Sequence, residues 1–264
     1  ATYANAVFDN YESMNSLSLI LGAIYFAFQI YGDFSGYSDI ALGTSKLFGI
    51  DLLKNFNYPY FSRDIAEFWR RWHISLSSWF RDYLYIPLGG SQGGMWMKVR
   101  NTFIIFLVSG FWHGANWTFI IWGLLNAIYF LPLLLQNKNR SNMGEIEMGW
   151  DFNSVKTILN ILGTFVLTTI AWIFFRAKSI SEALGYIQQM VTDLHFKSEY
   201  LSNERYNFEL VLLVLAFVVV EWFNRSKVEP LSGKASWVKV TLAIMALLAL
   251  GVYSDYKEFI YFQF

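Results

Sequence analysis

Long uncharged runs alternate with polar connections along the chain. Ser13–Gly32 and Thr157–Phe175 hold 20 and 19 residues without Asp, Glu, Lys or Arg. A helix needs about 20 apolar residues to cross the ~30 Å hydrocarbon core of a bilayer, so each run predicts one crossing. Phe208–Phe223 and Val240–Ser254 predict two more. The pattern is typical of an all-α, polytopic integral membrane protein.

The run Asn101–Asn137 is too long for a single crossing. Its 37 uncharged residues would form a helix about 55 Å long at ~1.5 Å per residue. We expect the run to break where small residues collect, between Ser109 and Gly114, and to return. That bend places His113 near the turn, and the flanking glycines allow close approach of backbone or ligand.

Charge is distributed unevenly among the connections. Asp33–Arg100 carries eight Lys or Arg and six Asp or Glu, and 224–239 carries four basic residues and one acid. The positive-inside rule predicts that both lie on the cytoplasmic side, which requires an even number of crossings between them. If the 101–137 run enters the membrane and returns to the same side, the number of crossings between the two connections is even. The many aromatic residues of Asp33–Arg100 predict interfacial or re-entrant helices, since irregular backbone at membrane depth must be covered by protein.

Composition narrows the function classes. The chain of 264 residues is 55% hydrophobic and only 15% charged, whereas soluble domains carry roughly a quarter charged residues. The net charge of zero gives no indication of a nucleic-acid partner. Cysteine is absent, which excludes thiol catalysis and thiolate zinc sites. Neither candidate histidine below has metal-ligand spacing, so we predict no metal. We also predict a single membrane domain over residues 1–264.

The stretch 62–90 is the first that could carry chemistry. Ser62 is a candidate N-cap, and a helix from there would place Trp69, His73, Ser77 and Phe80 on one face. One interpretation is an amphipathic helix at the lipid headgroups. The other is a polar wall of a site, in which Trp72 and Ser77 contact substrate and Arg residues meet an anionic group; the arginines are Arg70, Arg71 and Arg81.

His113 is the second candidate. An ionisable side chain inside an apolar membrane segment is costly, and it is a functional candidate by default. The structural alternative is a neutral imidazole satisfied by a carbonyl or by Asn116, joining two helices. A histidine whose pKa lies near the operating pH removes a proton from a hydroxyl. The third candidate stretch, 29–43, carries Asp39 and Ser38 at the end of a span, where turn chemistry together with a polar helix end is the simpler interpretation.

These stretches together resemble the membrane-bound O-acyltransferase (MBOAT) family, in particular its bacterial branch that includes alginate O-acetyltransferases. The matching segments are "QIYGDFSGYSDIALG", "LLKNFNYPYFSRDIAEFWRRWHISLSSWFRDYLYIPLGG", "FLVSGFWHGANWTFIIWG", "WIFFRA" and the terminal "FIYFQF". The segments run through nearly the whole chain. The wording "YIPLGG" and "FWHGANW" favours polysaccharide or peptidoglycan acetylation over the related D-alanyl transfer to teichoic acid.

The resemblance implies a fold, an activity and a set of residues. Family members are multi-helix proteins about twice this length, so this chain corresponds to their C-terminal part. They form a tunnel that brings a cytoplasmic acyl donor to an acceptor across the bacterial inner membrane. His113 matches the family's catalytic histidine and His73 its second motif histidine. We also expect Trp112 and Asn116 of the "FWHGANW" motif, together with Asp39, to contact substrate.

The expected reaction is O-acyl transfer, with acetyl-CoA as donor and no bound cofactor. His113 would act as general base, and His73 would orient the acceptor or stabilise the oxyanion. A covalent intermediate on Ser77 or Tyr85 is an alternative. The expected partners are membrane lipids, a polysaccharide acceptor and a periplasmic or extracellular acetylation protein. The rival classes are a glycan or lipid transporter, whose histidines would line a path, and a structural subunit of an export complex.

Overall fold

The computed structural model describes residues 1–146, 152–194, 206–227, 230–231, 233 and 235–251. These residues form helices and connecting turns, with no strand among them. The α-helices are α1 (Thr2–Asp9), α2 (Ser16–Leu47), α3 (Ile65–Arg71), α4 (Ile74–Phe80), α5 (Gly94–His113), α6 (Trp117–Leu135), α7 (Phe152–Arg176), α8 (Ile180–Thr192), α9 (Tyr206–Asn224) and α10 (Ser236–Leu250). The all-α expectation is confirmed.

Three described helices are long and apolar enough to cross a membrane: Ser16–Leu47, Trp117–Leu135 and Asn153–Arg176. The apolar parts of α9 and α10 are shorter, at Leu210–Asn224 and Ser236–Ala249. All five coincide with the uncharged runs of the sequence. The last residues of the fourth predicted crossing, 252–254, and the terminal "FIYFQF" lie outside the described residues.

Helix α2 is longer than its uncharged run. It begins after Asn15, whose side chain accepts a hydrogen bond from Ser18 N, as N-caps do. It then continues through Gly32 to Leu47, about 48 Å at ~1.5 Å per residue. The turn expected within residues 29–43 is therefore wrong, but the expected polar helix end is correct. Their polar side chains form the end of a continuous helix.

The predicted single helix from Ser62 onward is broken in two. The N-cap of α3 is Asp64, which accepts from Glu67 N, and Ser62 instead ends a 3-10 turn. Between α3 and α4, His73 adopts a left-handed conformation with φ 44° and ψ 55°. The segment before α3 enters this break. Asn55 accepts hydrogen bonds from Ile74 N through its carbonyl and from Ser75 N through its side chain, which replace helical bonds.

Helices α5 and α6 form an antiparallel hairpin, as the length of the 101–137 run predicted. The chain turns at Gly114, directly after His113. A Cβ added at Gly110 would collide with the Phe119 carbonyl, and one at Gly123 would collide with the Phe106 carbonyl. The two glycines thus let the helix backbones touch at two levels, which larger residues would prevent.

Aromatic side chains fill the core between the helices. Trp72 is 2% exposed, and its ring lies 5.1 Å from Trp172 of α7 and 6.0 Å from Tyr31 of α2, between ring centroids. Helix α8 packs on α2. Its buried Tyr186 hydroxyl donates to the Leu19 carbonyl at 2.6 Å.

The two basic connections lie at the same end of the bundle, which we call the basic face. The Tyr58 hydroxyl donates to the Lys227 carbonyl, and Arg225 donates to the Ile146 carbonyl. Helices α5, α6, α7 and α9 lie between these connections along the chain. Within the described residues, α6 and α7 each contain a segment long and apolar enough to cross a membrane. The other end carries the Arg176–Asn5 hydrogen bond and the Lys178–Asp9 ion pair, and we call it the opposite face.

Candidate functional site

Both candidate histidines line one cavity of about 310 Å³, the histidine cavity. Its wall comes from α3, α4, the hairpin of α5 and α6, and the connection after α6. The residues that line it include Trp69, Arg70, Trp72, His73, Ser77, Phe80, Arg81, Tyr85, Ser91, Thr102, Phe106, Ser109, His113, Asn139 and Arg140. Such concave sites with a few convergent polar groups are the usual location of small-molecule chemistry.

The environment of His113 is almost entirely aromatic. Its ring lies 4.9 Å from Trp112, 5.1 Å from Trp122 and 5.0 Å from Phe175, between centroids. These rings restrict the rotation of the imidazole and cover it on the side of the core. Because His113 ends α5 and precedes the exposed residue Ala115, it lies toward the opposite face of the bundle.

His73 lies in the break between α3 and α4. Its ring packs against Phe34 at 4.6 Å and lies 6.3 Å from Trp112, so the Trp112 indole contacts both histidines. Burial lowers the pKa of His73 from 6.5 to about 4, because an apolar environment disfavours the imidazolium. His73 is therefore neutral at physiological pH. A left-handed non-glycine residue is strained, and such strain clusters at functional sites.

The break in the helix preserves the predicted wall. Trp69, His73, Ser77 and Phe80, which a straight helix would align, all line the histidine cavity. Trp69 is fixed there by its indole N–H, which donates to the Oδ1 of the buried Asn126 at 3.2 Å. The single-helix prediction was wrong, although these four residues still line one cavity.

Arginines cluster where the cavity approaches the basic face. Arg70 donates to the carbonyls of Asn139 and Asn142 at 2.8 and 3.0 Å, which ties α3 to the connection after α6. Arg140 also lines the wall and lies near Arg70. Arg81 lines the cavity too, with its guanidinium paired to the Asp82 carboxylate at 2.7 Å. The cavity therefore reaches from a cationic end near the basic face to His113 near the opposite face.

Four of the proposed substrate contacts lie outside this wall. Arg71 binds Glu67 in a buried ion pair of 2.7 Å. Asp39 is exposed on α2. Asn116 caps α6 by accepting from Thr118 N, and it donates to the Lys178 carbonyl. Trp112 reaches the site through its contacts with the two histidine rings.

Trp72 and Ser77 line the cavity as proposed, each with a structural contact as well. Trp72 offers little surface, being 2% exposed. The Ser77 hydroxyl donates to the Trp72 carbonyl at 3.4 Å, a long bond across the helix break. Tyr85, the alternative nucleophile, follows Ser77 into the wall at the end of a π-helical turn, Arg81–Tyr85; such turns are frequent at functional sites.

Two polar residues that α5 contributes, Thr102 and Ser109, were not predicted as site residues. Thr102, Ser109 and His113 all line the cavity, and their spacing of seven and four residues places them on one helical face. This spacing is visible in the sequence, but assigning the three residues to one helical face requires knowing where α5 begins. Asn139 and Arg140 gave no periodic signal, because they lie in a connection.

No group of three or more His, Cys, Asp or Glu side chains within the described ranges is placed to hold a metal ion. The donors that line the histidine cavity are imidazoles, hydroxyls and guanidiniums. Guanidiniums bind anions and never metals. The arrangement suits an anionic or carbonyl-containing ligand and proton transfer by histidine.

Comparison with known proteins identifies relatives. Residues 8–183 match the family model described as MBOAT, membrane-bound O-acyltransferase family. A "Probable alginate O-acetylase" of Pseudomonas aeruginosa is 39% identical over 221 residues, which cover 81% of this chain and 40% of the relative. A peptidoglycan O-acetyltransferase of Helicobacter pylori is 36% identical over 286 residues, covering 100% of this chain and 53% of the relative.

A more limited match joins the chain to a third kind of enzyme. A teichoic acid D-alanyltransferase of Streptococcus thermophilus is 43% identical over 116 residues, 41% of this chain and 28% of the relative. The chain spans about half the length of the first two relatives, 40% and 53%. The O-acetyl-transferring relatives therefore match more of this chain than the D-alanyl-transferring one does.

Proposed function

The chain belongs to the membrane-bound O-acyltransferase family, and we propose that it is the C-terminal part of a membrane O-acetyltransferase with His113 as its general base. The observation that carries the proposal is the meeting of His113 and His73 on one cavity wall. A neutral histidine in an aromatic, water-poor site accepts a proton from a hydroxyl, and a positioned base contributes roughly 10²–10⁴-fold in rate.

The step transfers an acetyl group from the sulfur of a thioester to the oxygen of an acceptor hydroxyl. His113 takes the proton of the acceptor hydroxyl while the hydroxyl oxygen attacks the carbonyl carbon of the acetyl thioester. The carbon–sulfur bond breaks, and the thiolate leaves with the proton that His113 held. His73, neutral and packed beside Trp112, orients the acceptor or donates to the developing oxyanion, as preorganised donors do. Transfer through an acyl-Ser77 or acyl-Tyr85 intermediate remains the alternative route.

Acetyl-CoA is the donor that the cationic end of the cavity favours. Arg70 and Arg140 line that end, and guanidiniums bind phosphate groups through paired hydrogen bonds. Arg81 also lines the cavity, but its guanidinium is paired with the Asp82 carboxylate. Arg70 is held by two backbone carbonyls, so its charge is already in position. The coenzyme's phosphates would stay at this end while the thioester reaches toward His113.

The basic face is the cytoplasmic one in this proposal. Positively charged connections remain on the cytoplasmic side of a bacterial inner membrane, and both such connections meet there. The donor then enters from the cytoplasm, and His113, near the opposite face, meets an acceptor from outside. The acceptor is a cell-envelope polysaccharide or a periplasmic or extracellular acetylation protein. The O-acetylating relatives match more of this chain than the D-alanyltransferase does, which supports this class over D-alanyl transfer.

The test is acetyl transfer by the full chain reconstituted in liposomes, with radiolabelled acetyl-CoA outside and the polysaccharide or hydroxyl acceptor inside. The wild type transfers label, and His113→Ala loses at least about 100-fold. A transporter would move acceptor across the bilayer without forming an acetyl ester. Acceptor movement that survives in His113→Ala, with no ester in the wild type, would overturn the proposal.

A further inference from the structure

A second cavity lies at the basic face, on the other side of α3 from the histidine cavity. Its volume is about 320 Å³, within the ~300–1,000 Å³ typical of small-molecule sites. We call it the basic cavity. Lys54, Asn57, Arg71, Ile74, residues 143–146 and residues 225–227 line it. Arg70 faces one cavity and its neighbour Arg71 the other, so the two sites share a wall without sharing those side chains.

The charge of the basic cavity is strongly unbalanced. Among the described residues, its lining holds four cationic side chains, Lys54, Arg71, Arg225 and Lys227, and a single acidic one, Glu145. Arg71 pairs with the buried Glu67, and Lys54 lies near the carboxyl groups of Asp39 and Glu221 outside the lining. Arg225 and Lys227 form no salt bridge within the described part of the chain. Gathering like charges is unfavourable without an anion, which such a pocket attracts.

Arg225 is the most strongly fixed of these cations. Its guanidinium lies 4.0 Å from the centroid of the Trp222 ring, and it donates to the carbonyls of Trp222 and Ile146. Its buried Nε–H has no acceptor within the described residues. Leaving a buried donor of a charged group unsatisfied costs about 1–3 kcal/mol. A ligand oxygen at that position would remove the cost.

We propose that the basic cavity binds a phosphate ester, with Arg225 as its fixed donor and Lys54 and Lys227 as its mobile counter-charges. A phosphate offers several acceptor oxygens and one to two negative charges, which match donors arriving from three sides. A phosphate ester has two sources at a cytoplasmic face. One is the headgroup of an anionic phospholipid, which basic pockets between helices bind. The other is a soluble nucleotide phosphate. The proposal concerns binding and does not depend on the transferase function.

The test measures binding of two probes to the full chain purified in neutral detergent. The probes are short-chain phosphatidylglycerol and adenosine 3′,5′-bisphosphate, with short-chain phosphatidylcholine as the uncharged lipid comparison. The variant Lys54→Gln/Lys227→Gln leaves the Arg225 contacts intact and therefore folds. The matched control is Lys156→Gln, which removes a charge from the exposed start of α7 outside the cavity lining.

We expect the double variant to bind one of the two phosphate probes at least about tenfold more weakly than the wild type, and Arg225→Lys to weaken the same probe. The control should change affinity by less than about twofold. Loss confined to phosphatidylglycerol identifies a lipid site, and loss confined to the bisphosphate identifies a nucleotide site. If neither probe binds the wild type, or if the double variant and the control behave alike for both, the phosphate site does not exist.

Discussion

Gly110 of α5 lies directly against the carbonyl group of Phe119 in α6. A Cβ added at Gly110 would lie 3.0 Å from the Phe119 carbonyl carbon and closer still to its oxygen. Because backbone on α6 is the obstacle, no side-chain rotation relieves the contact. The pair fixes the spacing of the hairpin whose turn carries His113.

Gly110→Ala should therefore separate α5 from α6. We expect a loss of about 2 kcal/mol or more in unfolding free energy, within the range for overpacked cores, and a fall in acetyl transfer from displacement of His113. The matched control is Gly163→Ala in α7, where an added Cβ has open space and alanine favours the helix by up to about 1 kcal/mol. Melting in detergent checks both, and equal melting temperatures would contradict the close packing.

The backbone at His73 predicts an unusual order of substitutions. Asparagine tolerates the left-handed conformation better than alanine does, and the left-handed region costs alanine about 1–2 kcal/mol. We expect His73→Asn to melt above His73→Ala, although asparagine is the poorer helix former. If the two variants melt alike, the residue does not hold the left-handed conformation in solution.

The lowered pKa of His73 predicts a loss of stability in acid. Its pKa is about 4 in the folded protein and about 6.5 when unfolded, so the unfolded state binds the proton first. Stability that is present above pH 6.5 is lost as the pH falls toward 4, on the order of 3 kcal/mol. Melting curves of the wild type and His73→Asn should converge as the pH falls through this window. Parallel curves would show that His73 is not buried as a neutral group.

Substitutions of Arg70 and of Arg71 should change different properties of the protein. Arg71→Gln removes a partner of the buried Glu67, which still keeps Arg63. We therefore expect lower stability, by about 1–3 kcal/mol, with little change in the KM for acetyl-CoA. Arg70→Gln removes a cation from the histidine cavity and should raise that KM severalfold. Melting and initial-rate measurements on both variants separate the effects, and a KM that rises only in Arg71→Gln would reverse the assignment.

Much of the fold could be predicted from the lengths of the uncharged runs and from the distribution of charge among the connections. The 37-residue uncharged run could not be one crossing, and the charge parity required it to return, as the α5–α6 hairpin does. The end of α2 was misjudged because glycine and polar residues after Gly32 suggested a turn. In the folded chain the helix continues to Leu47, and Asn55 of the following segment donates to the buried Ser38 hydroxyl.

The site was harder to predict than the fold. The two histidines were identifiable as ionisable groups in apolar surroundings, and they do share a cavity. The sequence did not predict that Arg70 and Arg71 line different cavities, because the helix break at His73 depends on a tertiary contact. Asn55, distant in sequence, supplies the hydrogen bonds that allow the helix to end there. Asn116 looked like a site residue but caps α6, a role that its position before a helical run could have indicated.

The central claim is that His113 removes the proton from the acceptor hydroxyl. The most direct measurement is single-turnover acetyl transfer by the reconstituted full chain, comparing wild type, His113→Gln and His113→Ala at matched folding. Glutamine keeps a hydrogen-bonding side chain of similar size but accepts no proton at neutral pH, so both variants should lose at least about 100-fold in rate while the KM for acetyl-CoA stays near that of the wild type. A His113→Gln enzyme that transfers acetyl at the wild-type rate would contradict the account.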